Sequence, residues 1–446
     1  MTGQMGESVV GRAVLRPFPA KIQVEVTTRC NLRCAMCVKS AAGCAIPEGD
    51  LPLDVFRNIA PALPTCEALV LSGIGEPLLH PDLPGMAAFA RARMPDTSML
   101  GFQTNGLLLT PELARRLSAA GVDTICLSVD TLDHAAPGGV LHGQGETDRL
   151  ARTCDMLHRA FARSPRPLRL GVEFVLMADT APQLPAVVRW AGERGAVFAI
   201  VSHVLAYDAA MQGQSLFNPN TVKATAVFQK WKARAAQEGL DIHDSLSFLT
   251  TYHRTDGQKR LTELVRRMHE DAHGQGVWLH LRNLLDWDRR NRRDGGRLAN
   301  LFAEARAVAR EGGLELRLPP LQAEDARRCH FIEDGAACVT ARGDVSPCQF
   351  LWHRYACHMD GVQKHIRPVT FGNLGSEPLD AVWASPAYAE FRRDVLEYAS
   401  PYCANCALVP CDDIIGDVSP FEADCLGGTV PCGHCLWCMG GLQCLL

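Results

Sequence analysis

Features typical of membrane, secreted and nucleic-acid-binding proteins are missing from this chain of 446 residues. It has no run of 18 apolar residues, so we expect no membrane-spanning helix and no membrane partner. Its net charge is only −4 and no basic stripe stands out, so we expect no nucleic acid among its partners. Residues 1–20 lack the charged start and apolar core of a signal peptide, and we expect a cytoplasmic protein.

Cysteine, by contrast, is abundant and unevenly placed. Of the 19 cysteines, seven precede residue 160, none lies between 155 and 328, and twelve lie from Cys329 onward. Secreted disulfide scaffolds are normally much shorter than this chain. Clustered thiols in a cytosolic protein instead indicate metal or redox chemistry.

The first 205 residues alternate short β-rich runs with helical patterns. The β-rich runs are residues 21–28, 68–73, 99–106, 124–130, 169–177 and 198–205. Helical patterns at 111–121 and 182–195 end on Gly121 and Gly195, where helix C-caps are expected. Six strand–helix units predict a parallel α/β sheet, either open and doubly wound or a partial barrel. In both of these architectures, functional groups lie at the carboxyl ends of the strands.

Composition divides the chain into four predicted segments. An N-terminal segment, 1–20, precedes the strand–helix units at 21–205. Residues 206–325 are mainly helical and bridge to a cysteine-rich segment at 326–446. A strand-like run at 314–320 leads into that last segment.

Three cysteines follow the first predicted strand directly, in "RCNLRCAMCVKS". Cys30, Cys34 and Cys37 have the spacing Cys-x3-Cys-x2-Cys. Structural zinc normally takes two local pairs of ligands, and only one local pair is present. A thioredoxin-type pair lacks the third cysteine. A 4Fe–4S cluster usually takes four thiolates, so three leave one iron open to a substrate or cofactor.

With that loop, the sequence resembles the radical S-adenosylmethionine (SAM) enzymes, whose motif has the same spacing. The family usually has an aromatic residue where Met36 stands, so the apolar Met36 is a mild departure. "SGIGEP" (72–77) is similar to the family's Gly-Gly-Glu-Pro turn. The resemblance implies that the following residues contact SAM: Met36, Gly73, Gly75, Glu76, Asn105, Ser128 and Asp130. Each of the strand-end polar residues could instead be a turn or cap residue.

The resemblance also implies the fold and the chemistry. The fold would be a partial (β/α)6 radical SAM barrel with a helical middle segment and a small cysteine-rich iron–sulfur domain. An electron from a donor such as flavodoxin or ferredoxin would enter the cluster and cleave SAM. The 5′-deoxyadenosyl radical so formed takes a hydrogen atom from a substrate, while the protein supplies position and excludes water.

The cysteine-rich segment resembles the SPASM extension of these enzymes, in "GDVSPC" (343–348) and "CANCALVPC" (403–411). Two auxiliary 4Fe–4S clusters are implied, and twelve cysteines exceed the eight ligands that two clusters need. The implied ligands are Cys329, Cys338 and Cys348 for one cluster, Cys403, Cys406 and Cys411 for the other, and Cys425, Cys432, Cys435 and Cys444 to complete both. One tetrahedral zinc site built from two Cys-x2-Cys pairs is the alternative.

No catalytic base is evident. In several SPASM enzymes an acidic residue follows the Gly-x4-Cys, but here that position is Gln349. Glu173 and His203 are candidates by strand position alone, and Cys357 is a candidate substrate-facing thiol or spare ligand.

The whole pattern is most similar to a subgroup of SPASM proteins described as metalloenzyme maturases. It predicts an enzyme that abstracts hydrogen from a peptide or protein during maturation of a partner metalloenzyme. The alternatives are a biosynthetic enzyme acting on a small molecule, such as a sugar or amino acid, and a non-catalytic iron–sulfur electron carrier. The Gly-Glu-Pro turn argues against the carrier, which needs no amino-acid-binding edge.

Overall fold

Parallel strands form the centre of the molecule. The computed structural model describes residues 16–132, 146–247, 251–294, 296–359, 361–398 and 431–445. The strands are β1 (Lys21–Val24), β2 (Ala68–Val70), β3 (Met99–Thr104), β4 (Thr124–Ser128), β5 (Arg169–Leu176), β6 (Phe198–His203), β7 (Glu315–Arg317), β8 (Ala336–Val339), β9 (Asp344–Ser346), β10 (Tyr355–Met359), β11 (Val362–Ile366) and β12 (Gly372–Asn373). The six predicted strands are therefore confirmed as β1 to β6.

The main sheet has the order β12-β9-β8-β1-β2-β3-β4-β5-β6-β7. All neighbours from β8 to β7 are parallel, whereas β9 runs antiparallel to β8 and β12 antiparallel to β9. β10 and β11 form a separate hairpin. The sheet therefore extends beyond six strands at both edges, with short strands whose sequences carry little periodic signal.

Helices cover the outside of the sheet. They are α1 (Leu53–Phe56), α2 (Leu83–Arg91), α3 (Pro111–Ala119), α4 (Glu146–Phe161), α5 (Leu184–Glu193), α6 (Val222–Gln237), α7 (Asp256–Gly274), α8 (Leu281–Asp294), α9 (Arg297–Glu311), α10 (His330–Glu333), α11 (Leu379–Ala384) and α12 (Pro386–Leu396). α3 begins where the Thr110 side chain accepts a hydrogen bond from Leu113 N, with Pro111 at the first turn. Gly121 and Gly195 both have positive φ after their helices, as predicted.

The middle of the chain contributes to two cores. α6, α7 and α8 share an apolar cluster centred on Phe228, Met268 and Leu285. α9 packs against α5 and joins the main core through Phe302. α9 and β7 lie within the stretch predicted as a bridge, 206–325, yet pack as another helix and strand of the barrel.

Residues 441–445 pack against the inner side of the main sheet. Gly441 O accepts from His203 N at 3.1 Å, and Gln443 N donates to Ser202 Oγ at 3.1 Å, so this segment lies along β6. Leu445 is buried with Phe198 and Ile200 inside the sheet. In the part of the chain described, no helix is long and apolar enough to cross a membrane.

Candidate active site

The three-cysteine loop lies at the carboxyl end of β1. Leu32 N donates to Cys30 Sγ and Lys39 N donates to Cys37 Sγ, each at 3.4 Å. Burial raises the pKa of Cys34 to about 12, and the nearby Cys37 adds to that effect. The three thiols are thus close enough to influence one another, and backbone N–H groups are aimed at two of the sulfurs.

This donor set fits a 4Fe–4S cluster with one open iron. Thiolates ligate such clusters and hydrogen bonds to sulfur tune them. Within the described ranges, no three His, Cys, Asp or Glu side chains are arranged to hold a single metal ion. A cubane takes one thiolate per iron, so its ligands surround a volume and need not meet at one point.

The turn after β2 packs directly on the end of β1. A Cβ at Gly73 would lie 2.2 Å from Glu25 Cγ, and one at Gly75 would lie 2.3 Å from Thr27 O. Both positions therefore require glycine for close approach. The carboxylate of the buried Glu25 accepts from Ile74 N at 3.1 Å and lies 2.9 Å from His353 Nε2, which ties the turn to the C-terminal segment.

Glu76 links this turn to the end of β3. Its carboxylate accepts hydrogen bonds from Thr104 Oγ1 at 2.6 Å, Asn105 N at 2.8 Å and Leu78 N at 3.1 Å. Asn105 Nδ2 in turn donates to Asn31 Oδ1 at 2.9 Å, inside the cysteine loop. The Glu76 side chain thus holds the half-buried turn in place beside the cysteine loop.

Two acids follow: the buried Asp130, just after β4, and the half-buried Glu173, within β5. Asp130 Oδ1 accepts from Val175 N at 2.7 Å, while its buried Oδ2 has no partner within the described residues. Burial raises the pKa of Asp130 to about 7. Burial raises the pKa of Glu173 to about 8, and the nearby Asp130 contributes to that rise. Gln103 Nε2 donates to Glu173 Oε2. Ser128 is partly exposed and pairs in register with Glu173.

A cavity of about 230 Å³ lies between the barrel and the C-terminal segment. The predicted site residues that line it are Met36, Gly73, Glu173, His203 and Cys444. Sequence reasoning missed most of its polar wall, which includes Gln23, Gln103, Tyr207, His353, Trp437 and Gln443. Gln103 carried a sequence signal, because it belongs to the strand-end segment "QTNG".

The two other catalytic candidates differ from Glu173 in their surroundings. His203 Nε2 lies 2.9 Å from Pro320 O, and burial lowers the pKa of His203 to about 4, so its ring is neutral at pH 7. Cys357 is fully buried opposite Lys364 in the β10–β11 hairpin and is not among the described residues that line the cavity. Burial raises the pKa of Cys357 to about 12.

The structure gathers cysteines from two distant stretches of the C-terminal segment. Burial raises the pKa of Cys348, and the neighbouring Cys435 and Cys329 raise it further. Burial also raises the pKa of Cys338, and the nearby Cys348 and Cys444 raise it further. The pKa of Cys432 is raised by burial and by the nearby Cys329 and Cys435. The six thiols so grouped are Cys329, Cys338, Cys348, Cys432, Cys435 and Cys444. This grouping has more than the four thiolates that one 4Fe–4S cluster takes.

The remaining predicted ligands, Cys403, Cys406, Cys411 and Cys425, lie outside the described residues. Their assignment to a second auxiliary cluster, and the zinc alternative, stay predictions.

Comparison with known proteins agrees with this arrangement. The radical SAM superfamily profile matches residues 24–165, and the SPASM iron–sulfur cluster-binding domain profile matches residues 329–407. The tungsten-containing aldehyde ferredoxin oxidoreductase cofactor-modifying protein of Pyrococcus furiosus is 25% identical over 93% of this chain and 94% of its own length. The PqqA peptide cyclase of Xanthomonas campestris is 28% identical over 47% of this chain and 54% of its own.

Among solved structures, the crystal structure of Streptococcus suis SuiB has a TM-score of 0.49 and 13% identity, over 86% of this chain and 70% of that one. The two profiles fall on the segments that carry the cysteine loop and the C-terminal cysteines. The chain is therefore an enzyme of the radical SAM superfamily, with a SPASM domain C-terminal to its radical SAM domain.

Proposed function

We propose that this enzyme abstracts a hydrogen atom from a substrate during maturation of a partner metalloenzyme. The substrate would be a peptide or protein segment. The Pyrococcus furiosus relative, which spans nearly the whole chain, is named as a protein that modifies the cofactor of a tungsten enzyme. That likeness supports a maturation role and leaves the chemical identity of the substrate to experiment.

The observation that carries the proposal is the hydrogen-bonded path from Asn31 through Asn105 to Glu76. It fixes the cysteine loop and the glycine-rich turn at one edge of the sheet. Cys30, Cys34 and Cys37 would hold the 4Fe–4S cluster, and the backbone at Gly73 and Gly75 would contact the methionine end of SAM. When bound, the cluster and SAM supply a 5′-deoxyadenosyl radical.

The chain's own groups bind, orient and exclude water. Asp130 Oδ2, buried without a partner among the described residues, can accept a hydrogen bond from a ligand such as SAM. Glu173, with a pKa of about 8, keeps its proton near pH 7 and can donate a hydrogen bond into the cavity. Val38, Trp352 and Tyr355 add apolar and aromatic surface to the cavity.

A small-molecule substrate is the second candidate. A cavity of about 230 Å³ is smaller than the pockets that usually enclose drug-sized ligands. The cavity can admit either one side chain of a larger substrate or the whole of a compact molecule. Two auxiliary 4Fe–4S clusters and a flavodoxin- or ferredoxin-type donor complete the proposal.

The test compares the wild type with a Cys30→Ala, Cys34→Ala, Cys37→Ala variant after anaerobic reconstitution. About twelve irons per chain, falling to about eight, correspond to three cubanes with one on this loop. SAM cleavage under dithionite should disappear in the variant and persist in Cys44→Ala, whose thiol is near the loop. Wild-type cleavage by the triple variant would refute the site assignment.

The substrate class is tested with the wild-type enzyme and two fractions of the source cells. Stoichiometric 5′-deoxyadenosine formation that depends on the protein fraction supports the maturation role. Dependence on the small-molecule filtrate alone supports the second candidate.

A further inference from the structure

A basic groove lies on the outer surface of the barrel, between α3 and α4. It measures about 780 Å³, and five exposed arginines line it: Arg115, Arg149, Arg152, Arg159 and Arg163. Its apolar floor includes Leu109, Pro111 and Met156. None of its described lining residues is acidic.

The arginines form a continuous stripe because of helical spacing. Arg149, Arg152 and Arg159 follow one another in α4 at intervals that keep them, with Met156, on one face, and Arg163 extends the stripe from the turn after the helix. Arg115 pairs with Glu112 at 2.7 Å. Within the described part of the chain, no carboxylate pairs with Arg152, Arg159 or Arg163. The nearby acids of α4, Asp148 and Asp155, do not line the groove.

One end of the groove is connected to the cysteine loop by direct contacts. The Arg149 guanidinium donates to Leu107 O, and Leu107 N donates to Asn105 Oδ1 at 3.0 Å. Asn105 Nδ2 reaches Asn31, the neighbour of Cys30, at 2.9 Å. A partner seated in the groove would therefore approach the side of the barrel where the loop lies.

We propose that this groove docks a small acidic one-electron carrier protein that reduces the enzyme. Same-sign charge over an exposed concave surface attracts an oppositely charged partner and speeds its association. The carrier supplies one electron and is oxidised by one electron, so the exchange balances with no atom transferred. This inference rests on the proposed function, which requires a reductant.

The test uses an Arg152→Glu, Arg159→Glu, Arg163→Glu variant of the full-length reconstituted enzyme. Binding of purified flavodoxin and of purified ferredoxin is measured by biolayer interferometry at low salt. We expect the dissociation constant for at least one carrier to rise roughly tenfold in the variant. We also expect wild-type binding to weaken as salt is added.

The matched control is Arg189→Glu, Arg260→Glu, Arg310→Glu, which makes the same charge change at exposed positions away from the groove. Its affinity should stay within about twofold of wild type. Dithionite-driven SAM cleavage should be unchanged in both variants, which separates failure of docking from failure of the proposed function.

Three results would overturn the proposal. One is equal carrier affinity in the groove variant and the wild type. Another is the absence of binding to either carrier at low salt. The third is tighter binding of a single-stranded DNA oligonucleotide than of either carrier, lost in the groove variant, which would make the groove a nucleic-acid site.

Discussion

Glu76 is the residue through which the glycine-rich turn and the cysteine loop are held together. Replacing it with Ala would leave the N–H groups of Asn105 and Leu78 without their acceptor. A buried donor left unpaired costs about 1–3 kcal/mol, so we expect SAM to bind about tenfold more weakly. Equilibrium dialysis with SAM, beside iron analysis, measures this, and the iron content should remain that of wild type.

The exposed Glu112→Ala serves as the control for this change, and it should leave SAM affinity unaltered. Equal SAM affinity in Glu76→Ala and wild type would remove Glu76 from the proposed binding edge.

Glu173 makes stability depend on pH. Burial, and after it the nearby Asp130, raises the pKa of Glu173 from 4.5 to about 8. Between these values the folded protein holds a proton that the unfolded chain releases, so stability falls as pH rises through this window. We expect the melting temperature of Glu173→Gln to decline less than that of wild type from about pH 5 to about pH 8.

Differential scanning fluorimetry across this range measures the decline. The exposed Glu193→Gln should follow the wild-type curve. Parallel curves for Glu173→Gln and wild type would show that Glu173 does not carry the raised pKa.

Among individual residues, the sequence predicted those with a local pattern. Cys30, Cys34 and Cys37 are predicted as cluster ligands from their spacing and from their position directly after a strand. The contact of Glu25 with the C-terminal segment and the place of Gln23 in the cavity wall could not be predicted, because both depend on contacts across more than 300 positions. Ala341 N donates to Glu25, and Gln349 donates to Gln23. No local periodicity encodes such contacts.

At the scale of elements, strands β1 to β6 were predictable because each is a β-rich run between turn residues. β8 and β9 were not, since "AACV" and "DVS" are too short to show alternation. The placement of residues 440–445 was not predicted either, because this stretch is also too short to show a periodic pattern. Residues 440–445 form neither helix nor strand, yet they lie along β6 and place Leu445 inside the sheet.

At the scale of the whole molecule, the C-terminal segment completes the barrel as well as carrying cysteines. β8 pairs with β1 in parallel register, which brings Cys338 beside Gln23, a cavity residue. Cys432 and Cys435 then approach Cys329 and Cys348 from a stretch beyond the matched SPASM region. The composition of this segment predicted clusters, but only tertiary structure brings these thiols together.

This arrangement leads to a prediction about iron. A Cys432→Ala, Cys435→Ala variant should lose about four irons per chain, because one 4Fe–4S cluster takes its ligands from this group. The loop on β1 should keep its cluster, so SAM should still bind. Iron and acid-labile sulfide analysis measures the loss, with Cys154→Ala, a buried thiol of α4, as control. Full iron retention by the double variant would mean that the first auxiliary cluster takes its four ligands without Cys432 and Cys435, and that these two thiols are spare.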